Sequence, residues 1–306
     1  MLTKVIFFLV TVYALSSCSG NPVVSKSVAS GGGVTAVRLL SDYAPSLKNT
    51  AEDTNVYLLD SSKPGAKLLL VAGTHGDEPA GIQAAEFFIA RAEVQQGSVF
   101  VIPRLNDAGV AAGSRFVQAD WERSDDDDYF TPPEGSTRYA EIEQRNINRS
   151  YPGSESGAAA QKIAQAVMRL LVQENIDIAI DMHEARPSSG IARTIIANQK
   201  NANAAALAIF DLEERGIIMR LELSPPDMDG LSHKEWGNRT RAAAFLIETE
   251  NPAYGSNSAI GVPGDPRYAV DKRTAIQLEA VKAIVRRCNE TLPAPLVFSG
   301  IPVYTE

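Results

Sequence analysis

Short apolar runs alternate with segments of helical periodicity from about residue 34 onwards. The runs "VYLLD" and "KLLLVAG", at residues 56–60 and 67–73, end in turn residues and are typical of buried strands. Residues 79–94 begin with a proline and place apolar side chains on one face, which predicts a helix. Further strands are predicted at "SVFVIPRL", "IDIAIDMH" and "AAFLIETE", and further helices over residues 156–173, 204–214 and 271–288.

This order of elements is typical of an α/β fold, because strands that alternate with helices tend to form a parallel, buried sheet. We expect a single globular domain over residues 34–306, with a mostly parallel, mixed central sheet flanked by helices. Residues 116–144 interrupt the order with four successive aspartates and paired prolines. We interpret this segment as a surface insertion, since the ligand spacing and turn glycine of a calcium loop are missing from it.

A second interruption, "ELSPPDMDGLSHKEWGNRT", precedes the last predicted strand. It is rich in Gly, Pro and Asn and predicts a loop. Loops at the ends of parallel strands are where such sheets build binding and catalytic sites.

The first eighteen residues, "MLTKVIFFLVTVYALSSC", have the layout of a secretory signal: a cation, an apolar run and small residues before Cys18. The ending "LSSC" resembles the lipobox of bacterial lipoproteins. It predicts a signal peptide at residues 1–17, a lipid on Cys18 and a flexible tether over 18–33. The expected location is the bacterial cell envelope, periplasmic or on the outer surface, with the membrane contacted through the lipid anchor only. An ordinary signal peptide cleaved a few residues away is the alternative.

Composition excludes some partners. The chain has 306 residues, 44% of them apolar, which is enough for a sizeable core. The formal net charge is -8 and no long basic run occurs, which argues against a nucleic-acid partner. The acidic balance is typical of a soluble surface.

Two histidines follow or end predicted strands, and they suggest a metal site. His75 and Glu78 lie three positions apart in the turn after "KLLLVAG", and His183 ends the strand "IDIAIDMH". Parallel strands would bring these side chains to the same sheet edge. Zinc accepts imidazole nitrogen and carboxylate oxygen, and catalytic zinc sites use three protein ligands. A core histidine satisfied by one hydrogen bond is the alternative for His183.

Five segments in order resemble the zinc carboxypeptidases together with their succinylglutamate desuccinylase and aspartoacylase relatives. The segments are "GTHGDEPAG", "IPRLNDAGVAAGSR", "NINRSYPG", "DMHEA" and "FLIETE". The resemblance implies that His75, Glu78 and His183 hold one Zn²⁺ per chain, and that Glu248 is the general base. Without the surrounding pattern, Glu248 could equally be an ion-pair partner at a strand end.

The resemblance also assigns roles to polar residues in the second and third segments. Arg115, nine residues after the asparagine of "RLND", corresponds to the arginine that stabilises the oxyanion, and Asn148 with Arg149 would bind the substrate carboxylate. The usual proline after that asparagine is absent. The insertion separates Arg115 from Asn148 by more residues than in compact members of the family. Arg138 and Arg145 are therefore further candidates for the arginine roles. Arg149 could also be a surface arginine.

Four further residues have secondary interpretations. Glu250 lies on the same side of its strand as Glu248 and is the second candidate for the base. His233 is predicted to be a loop histidine that contacts substrate or nothing, in preference to a fourth metal ligand. Asp181 and Glu184 flank His183, and either could orient a ligand histidine.

The implied activity is zinc-dependent hydrolysis of an amide bond next to a free carboxylate. Only 58 residues follow Glu248, which leaves little room for the extra β domain usual in the aspartoacylase relatives. We therefore expect a metallocarboxypeptidase acting on small peptides, with peptidoglycan stem peptides as one candidate substrate. The alternative is an N-acyl amino acid deacylase of succinylglutamate desuccinylase/aspartoacylase type. A lipoprotein that binds peptides or metal without turnover is the third hypothesis.

Overall fold

A mixed eight-stranded sheet runs through the centre of the molecule, and a separate pair of strands lies beside it. The computed structural model describes residues 31–117, 144–252 and 265–302. The strands in these ranges are β1 (Ala36–Leu39), β2 (Asn55–Asp60), β3 (Lys67–Ala72), β4 (Glu93–Gln96), β5 (Ser98–Ile102), β6 (Ile178–Ala185), β7 (Thr194–Ala197), β8 (Arg220–Leu223), β9 (Ala243–Glu250) and β10 (Val297–Ser299).

Helices connect these strands and cover the sheet. They are α1 (Pro79–Arg91), α2 (Asp107–Ala112), α3 (Ala159–Gln173), α4 (Ala202–Glu213), α5 (Ser232–Arg239) and α6 (Val270–Asn289). A short 3₁₀ turn at Ile147–Arg149 precedes α3.

The strand order is β1-β2-β5-β3-β6-β9-β7-β8. The four central strands β5, β3, β6 and β9 run parallel to one another. At one side β2 is antiparallel to β5, and β1 is antiparallel to β2. On the other side β7 is antiparallel to β9, and β8 is parallel to β7. The structure thus confirms the predicted α/β fold with a mixed sheet whose core is parallel.

Both faces of the sheet are covered, because successive residues of a strand point to opposite faces. In β3, Leu68 and Leu70 belong to the apolar cluster that includes α1, α4 and α6 residues. Leu69 and Val71 belong to the other cluster, which includes α3 residues. A near-continuous apolar run such as β3 is the pattern expected of a strand buried on both faces.

The first predicted helix is shorter in the structure than the sequence pattern indicates. It begins at Pro79 as predicted but ends at Arg91, and Val94 lies in β4. Strand β4 pairs with β10, where Val94 lies opposite Phe298. A partner from the far end of the chain therefore decides this boundary, and periodicity within the segment could not show it.

The loop prediction for the segment before β9 was wrong in part, because residues 232–239 form α5. Its Trp236 is fully buried, and His233 is buried as well. A helix of eight residues has little intrinsic stability, so burial of its apolar side chains in the core stabilises it.

Some sequence-based predictions lie outside the described residues. These are the signal peptide at 1–17, the lipidated Cys18, most of the 18–33 tether, and most of the 116–144 insertion, including Arg138. They stay predictions. Within the described ranges, none of the helices combines the length and the apolar character needed to cross a membrane.

Helix α1 lies directly against β6. A Cβ atom placed on Gly81 would come within 2.6 Å of the carbonyl oxygen of Met182, and a side chain there would force the helix away from the strand. The lack of a side chain at Gly81 thus permits a close helix–strand approach next to His183.

Candidate metal centre

The carboxyl ends of three neighbouring parallel strands form the candidate site. The turn after β3 carries His75 and Glu78, β6 carries His183, and β9 carries Glu248. His183 and Glu248 lie side by side in the β6–β9 register, and adjacent residues in such a pair project from the same face. The structure therefore brings the three predicted ligands and the predicted base together at one sheet edge.

The turn after β3 is held closely against its surroundings. Gly76 packs against the backbone of Gly109 in α2 so tightly that a Cβ atom would overlap it. Glu78 precedes Pro79, the first residue of α1, and its backbone ends the turn. The tight turn explains why glycines surround His75 in the sequence.

The ligand atoms of His75, Glu78 and His183 point at one another. The Nδ1 atom of His75 lies 2.7 Å from Oε1 of Glu78, the Nδ1 atom of His183 lies 2.9 Å from Oε2, and the two Nδ1 atoms are 3.1 Å apart. Ligands about 2.0–2.1 Å from a tetrahedral zinc stand about 3.3 Å from each other. The observed separations are somewhat shorter, and these buried atoms lie close enough together to hold one metal ion.

The other ring nitrogen of each ligand histidine faces a side-chain oxygen atom. The Nε2 atom of His75 lies 3.0 Å from Oδ1 of Asn146, and the Nε2 atom of His183 lies 3.0 Å from Oδ2 of Asp181. Asp181 is itself fixed by the hydroxyl of Thr74, which donates to Oδ1 at 2.9 Å. A proton on Nε2 of each ring would leave the facing Nδ1 atoms with lone pairs for a metal.

Asn146 was not identified from the sequence, although it is the first residue of the "NINRSYPG" segment. An aspartate occupies this position in the motif that the segment resembles, so an amide oxygen here replaces a carboxylate. Asp181 was suggested from the sequence as a residue that orients a ligand histidine, and it lies beside His183.

The charges within the cluster oppose the effect of burial. Burial would raise the pKa of the Glu78 carboxyl, but the imidazoles of His75 and His183 hold it well below its usual range. Burial would lower the pKa of His183, but the carboxylates of Asp181 and Glu78 raise it well above its usual range. The cluster thus keeps the Glu78 carboxylate ionised in a buried place, as a metal ligand requires, whereas His183 has to release a proton when it binds a metal.

Glu248 is the neighbouring carboxyl group. Its Oε2 atom is buried and makes no hydrogen bond within the described part of the chain. Burial raises the pKa of Glu248 to about 8, although the charge of His183 opposes this rise. Glu250, the second candidate base, instead pairs with Arg193 at 2.8 Å between Nε and Oε2. The geometry favours Glu248 for proton transfer.

Arg115 reaches the cluster directly, since its Nη1 donates to Oε1 of Glu78 at 2.8 Å. In contrast, the backbone carbonyl of Arg145 accepts from Val117. Arg138 lies outside the described residues, and the structure places Arg115 beside a metal-ligand candidate.

Asn148 and Arg149 lie in the 3₁₀ turn before α3. Asn148 is buried, and its Oδ1 accepts from the backbone amide of Ser232 at 2.8 Å. Arg149 is half-buried and donates from Nη1 to the carbonyl of Asn148 at 2.7 Å. The Asn148 contact joins this turn to the start of α5.

Glu184 supports the ligand cluster from the other side of the strand. Its backbone amide donates to Oε2 of Glu78 at 3.1 Å, and its carboxylate accepts from the amide of Ala80 at 2.9 Å. The carboxylate also pairs with Arg273 of α6. Burial raises the pKa of Glu184 to about 7, although the guanidinium of Arg273 opposes this rise. Glu184 therefore anchors the start of α1, where Glu78 lies, and does not contact a ligand histidine.

His233 is not a fourth ligand of this cluster. Its Nδ1 atom shares a hydrogen bond of 2.7 Å with the hydroxyl of Ser224, and the ring is buried at the start of α5. Burial lowers the pKa of His233 to about 3.

The neutral state of His233 predicts a pH-dependent stability. In the unfolded chain His233 takes up a proton near its ordinary pKa of about 6.5, whereas the folded chain excludes that proton until about pH 3. The unfolded state thus binds more protons in this window, and the free energy of unfolding falls as the pH decreases through it. His233 alone lowers the free energy of unfolding by up to about 1.4 kcal/mol for each pH unit of decrease.

Urea denaturation of the zinc-free protein at pH 7 and pH 5 measures this effect. The decrease in unfolding free energy should be smaller in a His233→Gln variant by about 2 kcal/mol, since roughly 1.5 pH units of the window are crossed. Equal decreases in the two proteins would contradict a neutral His233.

The mixed sheet with its flanking helices is an α/β fold of the zinc carboxypeptidase-like class, and the buried ligand cluster lies at its sheet edge. Residues 64–250 match the succinylglutamate desuccinylase/aspartoacylase catalytic domain. This match covers more than half of the chain, and the chain belongs to that family.

Individual relatives agree with this assignment. The chain is 33% identical over 121 residues to the N-α-acetyl-L-2,4-diaminobutyric acid deacetylase of Halomonas elongata, which is 39% of this chain and 28% of the relative. In fold it is similar to the cell shape determinant Csd4 of Helicobacter pylori, with a TM-score of 0.55 at 16% identity over 80% of this chain and 56% of Csd4. It is also similar to a succinylglutamate desuccinylase from Silicibacter sp., with a TM-score of 0.54 at 16% identity over 84% of this chain and 66% of the other.

The lengths of the relatives differ from that of this chain. The chain spans a little over half of Csd4, about two thirds of the desuccinylase, and little more than a quarter of the deacetylase.

Proposed function

We propose that this protein is a zinc-dependent hydrolase that cleaves an amide bond next to a free carboxylate. The observation that carries the proposal is the convergence of His75, Glu78 and His183 beside Glu248, whose Oε2 atom accepts no hydrogen bond from the described part of the chain. Three protein ligands leave a position open, which is the arrangement of catalytic zinc sites. The family assignment supports hydrolysis of an amide.

Zinc in such a site lowers the pKa of water and polarises a carbonyl group. The residues of the chain supply the rest. Glu248 removes the proton from the attacking water and delivers it to the leaving amine, which a carboxylate can do within hydrogen-bond reach of both. Its Oε2 atom is buried and has no hydrogen-bond partner among the residues that the structure describes, which supports this role.

Arg115 is the proposed donor to the developing oxyanion. Its guanidinium lies beside the ligand cluster, where its Nη1 atom contacts Glu78 at 2.8 Å. A fixed cation at this position would stabilise negative charge that appears during attack on the carbonyl.

Asn148 and Arg149 are the proposed carboxylate-binding residues. The guanidinium is a planar fork that can hold a carboxylate with two hydrogen bonds. Their place in the 3₁₀ turn, anchored to α5 through Ser232, keeps the pair in a defined position.

Two classes of substrate fit this description, namely acylated amino acids and short peptides with a free carboxyl end. The match to the desuccinylase/aspartoacylase domain and to a deacetylase favours an acylated amino acid. Removal of a C-terminal residue is the second candidate, because the fold is also that of Csd4, which is described as a D,L-carboxypeptidase.

An assay of amine release with both substrate classes tests the proposal. Each substrate is paired with its amidated analogue, which lacks the negative charge that Arg149 would bind. In an Arg149→Met variant we expect the KM for the carboxylate substrate to rise about 10- to 100-fold, because a charged hydrogen bond is lost. The KM for the amidated analogue should change little.

The two classes are distinguished by which pair is cleaved. Cleavage of acetylated or succinylated amino acids without action on peptides would identify a deacylase, and the reverse would identify a carboxypeptidase. If the zinc-loaded protein releases amine from neither class, the proposed hydrolase function is wrong.

A further inference from the structure

Strand β8 is an open edge of the central sheet. It lies at one end of the strand order and, within the described residues, pairs only with β7. All four of its residues are exposed, including Leu221 at 37% and Leu223 at 38%. Ile218, just before the strand, is 55% exposed. An edge with exposed apolar side chains is a template for pairing with another strand.

The backbone of β8 limits which pairings are possible. The amides of Arg220 and Ser224 donate to carbonyls at and next to β7. The even-numbered residues of β8 therefore direct their backbone N–H and C=O groups towards β7. Leu221 and Leu223 therefore direct their N–H and C=O groups outwards. In an antiparallel partner, the residues that exchange hydrogen bonds across the new interface must be these odd-numbered ones.

Several self-pairings of β8 satisfy this condition, and charge distinguishes the two that are centred on the interior residues of the strand. A two-fold axis at Glu222 would place Glu222 opposite Glu222 of the second copy, which is unfavourable for like charges. An axis at Leu221 places Arg220 opposite Glu222 of the second copy, and Glu222 opposite Arg220 of the second copy. This register gives two ion pairs on one face and a Leu221–Leu221 contact on the other.

We propose that two copies of this chain pair through β8 in this second register. The dimer has a continuous sixteen-strand sheet, and the two-fold symmetry closes the interface so that no further copy can add at this edge. Arg220 already donates to the carbonyl of Ala192, and its remaining donors suffice for a carboxylate.

The opposite edge of the sheet does not have this complementarity. Strand β1 also exposes apolar side chains, Val37 and Leu39. Its one charged residue, Arg38, is engaged by Glu174 within the same chain, and β1 contains no acidic residue to pair with a second copy. Self-pairing through β8 is therefore favoured over pairing through β1.

The mass of the zinc-loaded protein in solution, measured by analytical ultracentrifugation over a range of concentrations, tests this proposal. We expect a species of about twice the monomer mass at the higher concentrations. Arg220→Glu and Glu222→Arg each place two pairs of like charges across the interface, and each should weaken dimerisation by about tenfold or more.

The combined charge exchange Arg220→Glu with Glu222→Arg is the decisive control. It restores two opposite-charge pairs and should restore dimerisation, which loss of folding or of general surface charge would not do. Circular dichroism and zinc content verify that each variant is folded. A monomer at every accessible concentration would overturn the proposal, as would single variants that dimerise as tightly as the unmodified protein.

Discussion

Replacing Glu248 with Gln should decrease kcat by about 10²–10⁴ while leaving the bound zinc in place. The glutamine side chain has the same shape but cannot accept the proton of the attacking water. The zinc should remain, because Glu248 is not one of the three residues whose ligand atoms converge. The measurement is turnover of the best substrate together with zinc content per chain.

Glu250→Gln is the matched control for this experiment. It removes a carboxylate from the same strand, two residues away, whose partner is Arg193. Its activity should stay within a few-fold of the unmodified protein. An active Glu248→Gln variant, or an equal loss in both variants, would contradict the assignment of Glu248 as the base.

The second large effect concerns the metal. We expect about one zinc per chain in the purified protein, and close to none in His75→Ala and in His183→Ala, because two remaining ligands rarely hold zinc tightly. The measurement is elemental analysis after dialysis against metal-free buffer. Activity should be lost in parallel with the metal.

His233→Ala is the control, since His233 bonds to Ser224 and lies outside the ligand cluster. It should retain its zinc. A folded, unmodified protein that takes up no zinc after reconstitution would exclude the metal centre, and a non-catalytic binding protein would then explain the fold better.

The central part of the fold was predictable from the sequence because its strands are buried on both faces. Strand β3 is apolar after its first residue and β9 is apolar over its first five residues, and the predicted ranges agree closely with the observed ones. Strands β7 and β8 were missed because each has four residues and depends on its neighbours for stability. Helix α5 was missed because it also depends on its neighbours for stability. Its sequence is polar apart from buried residues such as Trp236.

The ligand cluster was also predictable, because parallel strands end at the same sheet edge and His75 and His183 each follow or end such a strand. The contacts that hold the cluster in place were not predictable. Asn146 lies 71 positions from His75, and Arg273 lies 89 positions from Glu184. No local pattern marks such pairs, since the contact exists only once the chain has folded.

The close approach of α1 to β6 at Gly81 has a consequence for the metal centre. Glu78 lies at the start of α1, and His183 follows Met182, the residue that Gly81 contacts. The distance between the helix and the strand is therefore one of the dimensions of the ligand cluster. A methyl group at position 81, which would meet Met182, would act as a spacer and widen the gap between Glu78 and His183.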